Sequence, residues 1–105
     1  MPEIRPDNKF VIQITTAEAE EDKQDELLAL MTERARFMAR QPGFVSISLH
    51  RGLDGRRIVN YVQWASREQL IAAHHTPEFR EKWSRVGNVS EEIEPNLYEV
   101  AHVEE

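Results

Sequence analysis

The chain has 105 residues, 40% of them hydrophobic and 30% charged, which is the make-up of a single soluble globular domain. Thirteen Lys and Arg against nineteen Asp and Glu leave a formal charge of −6, so a phosphate backbone is an unfavourable partner and no nucleic-acid ligand is expected. Cysteine is absent, which excludes disulfides, thiolate metal sites and cysteine nucleophiles.

Residues 1–8 carry two prolines and mixed charge and read as a frayed lead-in. They contain no apolar run of signal-peptide form, and nothing downstream approaches the ~20 apolar residues of a membrane span, so a cytoplasmic protein with no membrane partner is expected. Phe10-Val11-Ile12-Gln13-Ile14-Thr15 is rich in β-branched residues and predicts a first strand. The acidic stretch 16–26 then leads into a helix whose Leu27, Met31, Ala35 and Met38 recur at helical spacing. Glu21, Asp22, Asp25 and Glu26 suit the positive end of its dipole, Arg34, Arg36 and Arg40 the negative end, and Gln41-Pro42-Gly43 stops it. The cluster Glu18, Glu20, Glu21 and Asp22 reads as a solvated helix start rather than a metal site.

Phe44 to Arg51 alternates strictly, with Val45, Ile47 and Leu49 on one face and Ser46, Ser48 and His50 on the other. Asp54-Gly55 signals a hairpin back into Ile58-Val59-Asn60-Tyr61-Val62-Gln63-Trp64. That strand is nearly all apolar, as a strand covered on both faces should be, except for Asn60. Asn60, Val62 and Trp64 point the same way, with the amide and the indole ~13 Å apart on one wall. A three-residue hairpin loop gives paired positions an even sum, which would set Ser46, Ser48 and His50 on the face of Asn60 and Trp64 and leave room there for a small molecule. The opposite face would then carry Val45, Ile47, Leu49, Val59 and Tyr61.

Ser66-Arg67-Glu68-Gln69 fits a capping box that opens a helix of about two turns, and Thr76-Pro77 restarts a second piece bearing Phe79, Trp83 and Val86, ended by Gly87. Residues 88–96 read as a polar connection and 97–103 as a last strand. His74-His75 at a helix end and His102 read as exposed rather than as metal ligands, and no metal site is expected. The order βαββαβ predicts an α+β, ferredoxin-like fold over residues 1–105, a four-stranded sheet with helices on one face. A second apolar sheet face calls for a lid, so a homodimer closed sheet to sheet is expected. The glycines at 43, 52, 55 and 87 form no phosphate loop or nucleotide fingerprint, so no cofactor is implied.

Pro42-Gly43-Phe44-Val45-Ser46, Leu49-His50, Asp54-Gly55, Val59 to Ser66 and the Pro77-Glu78-Phe79 helix start resemble the antibiotic biosynthesis monooxygenase domain. The resemblance is densest from Pro42 to Ser66 and implies a dimeric α/β-barrel. It is nearest to the quinone-forming, cofactor-independent members of aromatic polyketide pathways, which implies an electron-rich phenol or anthrone-like substrate oxidised with dioxygen. It also implies catalytic roles for Asn60 and Trp64, with His50, or a water beside it, taking a proton. Leu70, Phe79 and Trp83 are expected as an apolar wall, with Ser46 and Ser48 also against the substrate. Where those polyketide enzymes carry tyrosine six residues after the tryptophan, this chain has Leu70, which can neither donate nor accept a proton. The alternatives are a non-catalytic dimeric module binding a small ligand and a haem-degrading relative; where that branch has its iron-ligating histidine, this chain has Trp83.

Overall fold

The computed structural model describes residues 10–105, and the lead-in predicted over 1–8 lies outside the described residues. Seven elements follow in order: β1 (Val11–Ala19), α1 (Gln24–Met38), β2 (Phe44–Arg51), β3 (Arg57–Trp64), α2 (Arg67–His74), α3 (Pro77–Gly87) and β4 (Ser90–Tyr98). The strands form one antiparallel sheet in the order β2-β3-β1-β4, the ferredoxin-like arrangement. Among the described residues, helices cover one face of the sheet, so alternation along each strand decides which residues enter the core.

The predicted apolar stripe of α1 is buried at Leu27, Met31, Ala35 and Met38. Its start is anchored by tertiary contacts rather than by a side-chain cap: Gln24 Nε2 donates to the carbonyls of Gly52 and Arg57 at 2.9 and 3.1 Å. Ser66 Oγ accepts from the Gln69 amide at 3.2 Å and Thr76 Oγ1 from the Phe79 amide at 3.2 Å, each satisfying an orphan donor of a helix start. Gly43, at φ +84°, passes so close to α2 that an added Cβ would stand 2.3 Å from Gln69 Oε1, which leaves glycine as the residue that fits.

Two boundaries differ from expectation. β1 continues to Ala19, with Ala17 and Ala19 fully buried and Glu18 on the other face, 3.6 Å from Arg56, so Glu18 belongs to a strand and not to a helix start. The stretch 88–96 is not a polar connection but holds most of β4, and no strand runs through 99–103. Ile93, Pro95 and Leu97 pair with Ala17, Thr15 and Gln13 on the inner face, while Glu94 and Asn96 between them face out. An edge strand tolerates both charge and proline, and that masks its period in the sequence.

The larger correction concerns register. Gly52 and Arg57 pair through a 2.7 Å backbone bond, enclosing four loop residues, 53–56, rather than three. Asp54 accepts from the amides of Arg56 and Arg57 at 2.9 and 3.0 Å and so fixes that longer turn. Paired positions therefore have odd sums: Leu49 lies opposite Asn60 and Ile47 opposite Val62, while Ser46, Ser48 and His50 lie opposite Gln63, Tyr61 and Val59. The two serines and His50 are thus on the sheet face away from Asn60 and Trp64, and Ile47 and Leu49 are under the helices. A bulge at Val45 leaves Phe44 beside Trp64.

Beneath the helices the core is two apolar clusters. One holds Ala17, Ala19, Leu27, Met31, Ile58, Val86 and Val89; the other holds Phe37, Met38, Val62, Trp64, Leu70, Ala73 and Phe79. Among the described residues no helix is long and apolar enough to cross a membrane.

Candidate active site

A band of polar residues separates the two clusters. On β3, Asn60 sits between Ile58 of one cluster and Val62 of the other; on β1, Thr15 and Gln13 follow Ala17; on α1, Arg34 lies between Met31 and Met38. Thr15 is the cross-strand partner of Asn60, so their side chains share the inner face. Asn60 is 0%, Thr15 1% and Arg34 2% exposed.

Seven buried polar atoms of this region have no hydrogen-bond partner among the described residues: Gln13 Oε1, Thr15 Oγ1, Arg34 Nε and Nη2, Asn60 Oδ1 and Nδ2, and Trp64 Nε1. One such atom costs about 1–3 kcal/mol. Together they would rival the about 5–15 kcal/mol by which a whole domain is stable, so a polar molecule from outside, water or ligand, has to meet them.

Arg34 makes the case sharper. Its guanidinium carbon lies 4.6 Å from the Trp83 ring centre and 5.8 Å from that of Phe79. Stacking of this kind offers about 2 kcal/mol when desolvated, against a burial cost of several kcal/mol for the charge. Burial pulls its pKa down to about 10, which leaves it a cation at neutral pH.

Around this band runs a train of rings. Phe44 meets the Trp64 edge at 5.8 Å, Trp64 stands 6.4 Å from His74, His74 4.2 Å from Phe79, and Phe79 stacks on Trp83 at 6.1 Å. His74, read from the sequence as an exposed helix end, is instead part of this wall. Its Nδ1 is 2.7 Å from the Leu70 carbonyl oxygen, which can only accept, so Nδ1 carries the hydrogen and Nε2 is the basic nitrogen of the neutral ring. Burial, foremost, holds its pKa below the usual histidine range; the bond to Leu70 opposes that shift, and the charges of Arg34 and His75 add to it.

A half-open cleft of about 340 Å³, lined by Gln13, Leu70, His74, Pro95, Asn96 and Leu97, leads in from the β4 side. Leu70 stands in its wall, while Asn60, Trp64 and Phe79 are buried and are not among the residues that line it. His50 is exposed, with Nε2 3.1 Å from Ser48 Oγ, and Ser46 Oγ donates to Gln63 Oε1 at 2.9 Å on the outer face. The structure thus gathers Asn60, Trp64, Leu70, Phe79 and Trp83 under the helices, and leaves Ser46, Ser48 and His50 outside. Sequence reasoning missed Gln13, Thr15, Arg34 and His74. The available signal was a charged residue at spacing three from Met31 and four from Met38, inside an otherwise apolar stripe.

Fold and band together define a ferredoxin-like α+β domain with an unpaired polar layer buried beneath its helices. The family model described as antibiotic biosynthesis monooxygenase matches residues 10–82, and the chain belongs to that family. It is 33% identical over 85 residues to tetracenomycin-F1 monooxygenase of Streptomyces glaucescens, which covers 81% of this chain and 72% of that one. A mutant of SnoaB, a cofactor-independent oxygenase from Streptomyces nogalater, superposes with a TM-score of 0.83 at 23% identity, over 90% of this chain and 95% of that one. Rv0793 from Mycobacterium tuberculosis gives 0.78 at 20% identity, over 92% of this chain and 98% of that one.

Proposed function

We propose that this chain is a cofactor-independent monooxygenase that oxidises an electron-rich aromatic compound, of phenol or anthrone type, to a quinone with dioxygen. The observation that carries the reading is the Asn60 amide, wholly buried in a central strand with both polar atoms unpaired among the described residues. The names of its relatives, a tetracenomycin-F1 monooxygenase and a cofactor-independent oxygenase, support it.

No group of the chain exchanges electrons with dioxygen, so the substrate has to do so itself, as an anion. Removing a ring-activated C–H or O–H proton gives an enolate or phenolate. That anion passes one electron to dioxygen, the ring radical and superoxide combine to a peroxide, and loss of water leaves the new carbonyl. One oxygen atom enters the product and the other leaves in water. The residues bind, deprotonate and exclude solvent. Asn60 Nδ2 donates to the oxyanion as charge develops, Trp64 packs its ring on the substrate and offers its Nε1–H, and Leu70, Phe79 and Trp83 form the apolar wall. His74 is better placed than His50 to take the proton, because it lines the cleft and keeps Nε2 unprotonated. Incubation with 1,8-dihydroxyanthrone is expected to consume one dioxygen per quinone formed. Uptake no faster than in buffer, across several such substrates, would leave a non-catalytic binding module in its place.

The open sheet face supports a second copy of the chain as its cover. Register moves Ile47 and Leu49 off that face, but Ile12, Ile14, Val59 and Tyr61 remain on it, none of them fully exposed. Sedimentation velocity at micromolar concentration is expected to give twice the chain mass, and Tyr61→Asp to shift it toward one. A wild-type monomer under these conditions would refute the pairing.

A further inference from the structure

We propose that Arg34 is an anion-binding residue, against whose guanidinium the ring oxygen of the bound aromatic substrate is held in its ionised form. The inference rests on the band being a substrate site, and it narrows the substrate to an acidic phenol or enol. Arg34 is 2% exposed, and no carboxylate pairs with it among the described residues. The adjacent Glu33 is turned outward and holds Lys82 at 3.3 Å and Arg85 at 3.0 Å. The other titratable group near it, His74 on α2, is neutral or positive and cannot supply the missing charge. The interior beneath the helices therefore carries an uncompensated positive charge.

Its geometry also suits a ligand. Trp83 and Phe79 pack on the guanidinium and hold its plane, while Nε and Nη2, adjacent on one edge, have no acceptor. Such a fork matches an oxyanion better than a lone ammonium would. A ring oxygen is favoured over a carboxylate at the substrate's rim because Arg34 occupies the same layer as the donors of Asn60 and Thr15. It sits between Met31 and Met38 just as Asn60 sits between Ile58 and Val62. An oxygen bound there accepts from several donors while the apolar ring extends toward Trp64 and Leu70.

The test uses 2-hydroxyanthraquinone, whose absorption moves to longer wavelength on ionisation, titrated with pH in the presence of excess protein. The bound probe is expected to ionise at least one pH unit below the free probe, a preference for the anion of about tenfold or more. Arg34→Met should still bind the probe but lose the shift, and Arg34→Lys should keep part of it. Since methionine fills the stem's volume and removes an unpaired buried charge, Arg34→Met should melt no lower than wild type, whereas a merely structural arginine would give a lower melting temperature. Wild-type protein that binds the probe without a downward shift, fails to bind it at all, or shares its shift undiminished with Arg34→Met overturns the proposal. The wild-type arm decides even if the methionine variant does not fold. Preference for anthraquinone-2-carboxylate over its carboxamide, without a phenol shift, would point to a rim carboxylate and equally overturn it. Because no readout is turnover, a shift without oxygen uptake would sink the monooxygenase reading and leave the anion site standing.

Discussion

Asn60→Leu is expected to lower turnover of a hydroxyanthrone by ~10²–10³, the usual loss when one preorganised donor to a developing oxyanion is removed. The same substitution should leave the chain as stable as before, or raise its melting temperature. Asn60 is completely buried, and neither its amide nitrogen nor its oxygen finds a partner among the described residues. Leucine has nearly the same shape and brings no polar atom, so the desolvation cost of about 1–3 kcal/mol per orphaned group disappears with the amide. Ile58 and Val62 flank the position and Leu49 stands opposite, which gives the new side chain apolar neighbours. An asparagine kept for folding would behave the other way, losing stability with the amide. Oxygen-electrode rates and thermal melts on the same preparation separate the two. A variant that melts well below wild type, or that turns over within a few-fold of it, would remove Asn60 from the chemistry.

What could be read in the sequence and what could not follows from where the side-chain period is unambiguous. Asn60 and Trp64 stand out because a central strand buried on both faces is otherwise mostly apolar, and Asn60 is the amide that shares a face with Ile58, Val62 and Trp64. The α1 stripe of Leu27, Met31, Ala35 and Met38 is equally plain, since its period of 3.6 continues over the whole helix. The face of His50 was set by one number, the length of a hairpin loop, and one residue more in that loop turned Ser46, Ser48 and His50 away from the site together. Asp54-Gly55 marks the turn without fixing its length, because Asp54 caps two amides of a longer loop as readily as it begins a tight one. β4 was hidden by Glu91, Glu92, Glu94 and Pro95, residues that an edge strand accommodates and a central strand would not. In the sequence Arg34 reads as a dipole partner near the helix end. Its spacing within the apolar stripe marks an inward position, but the packing of Phe79 and Trp83 from α3 on its guanidinium is a long-range fact that no local pattern carries.

His74→Phe is expected to cost ~10²–10⁴ in turnover of a substrate that enters as the neutral phenol or anthrone, the range for a positioned general base. It should cost far less for one already ionised in solution. Phenylalanine keeps the contacts that His74 makes with Phe79 at 4.2 Å and Trp64 at 6.4 Å, so the variant isolates proton transfer from packing. The pH dependence has a definite sign. A base works in its neutral form, and the pKa of His74 is lowered from 6.5, chiefly by burial. In wild type, kcat/KM should therefore rise through a value below 6.5 and be level at neutral pH, and in His74→Phe that rise should move to the substrate's own ionisation. Stability follows the same lowered value: below 6.5 the unfolded chain binds this proton before the folded one does, so the contribution is complete above 6.5 and is lost as pH falls through the folded pKa. Urea midpoints taken between pH 7.5 and 5.0 should fall more steeply for wild type than for His74→Phe. Arg34 ties this step to the next one, because an imidazolium formed at His74 lies near a second cation and is tolerated only while the substrate's new anion lies in the same site. A wild-type rate profile that rises at or above the ordinary histidine value, or a phenylalanine variant that keeps most of its activity on the neutral substrate, would take the base away from His74.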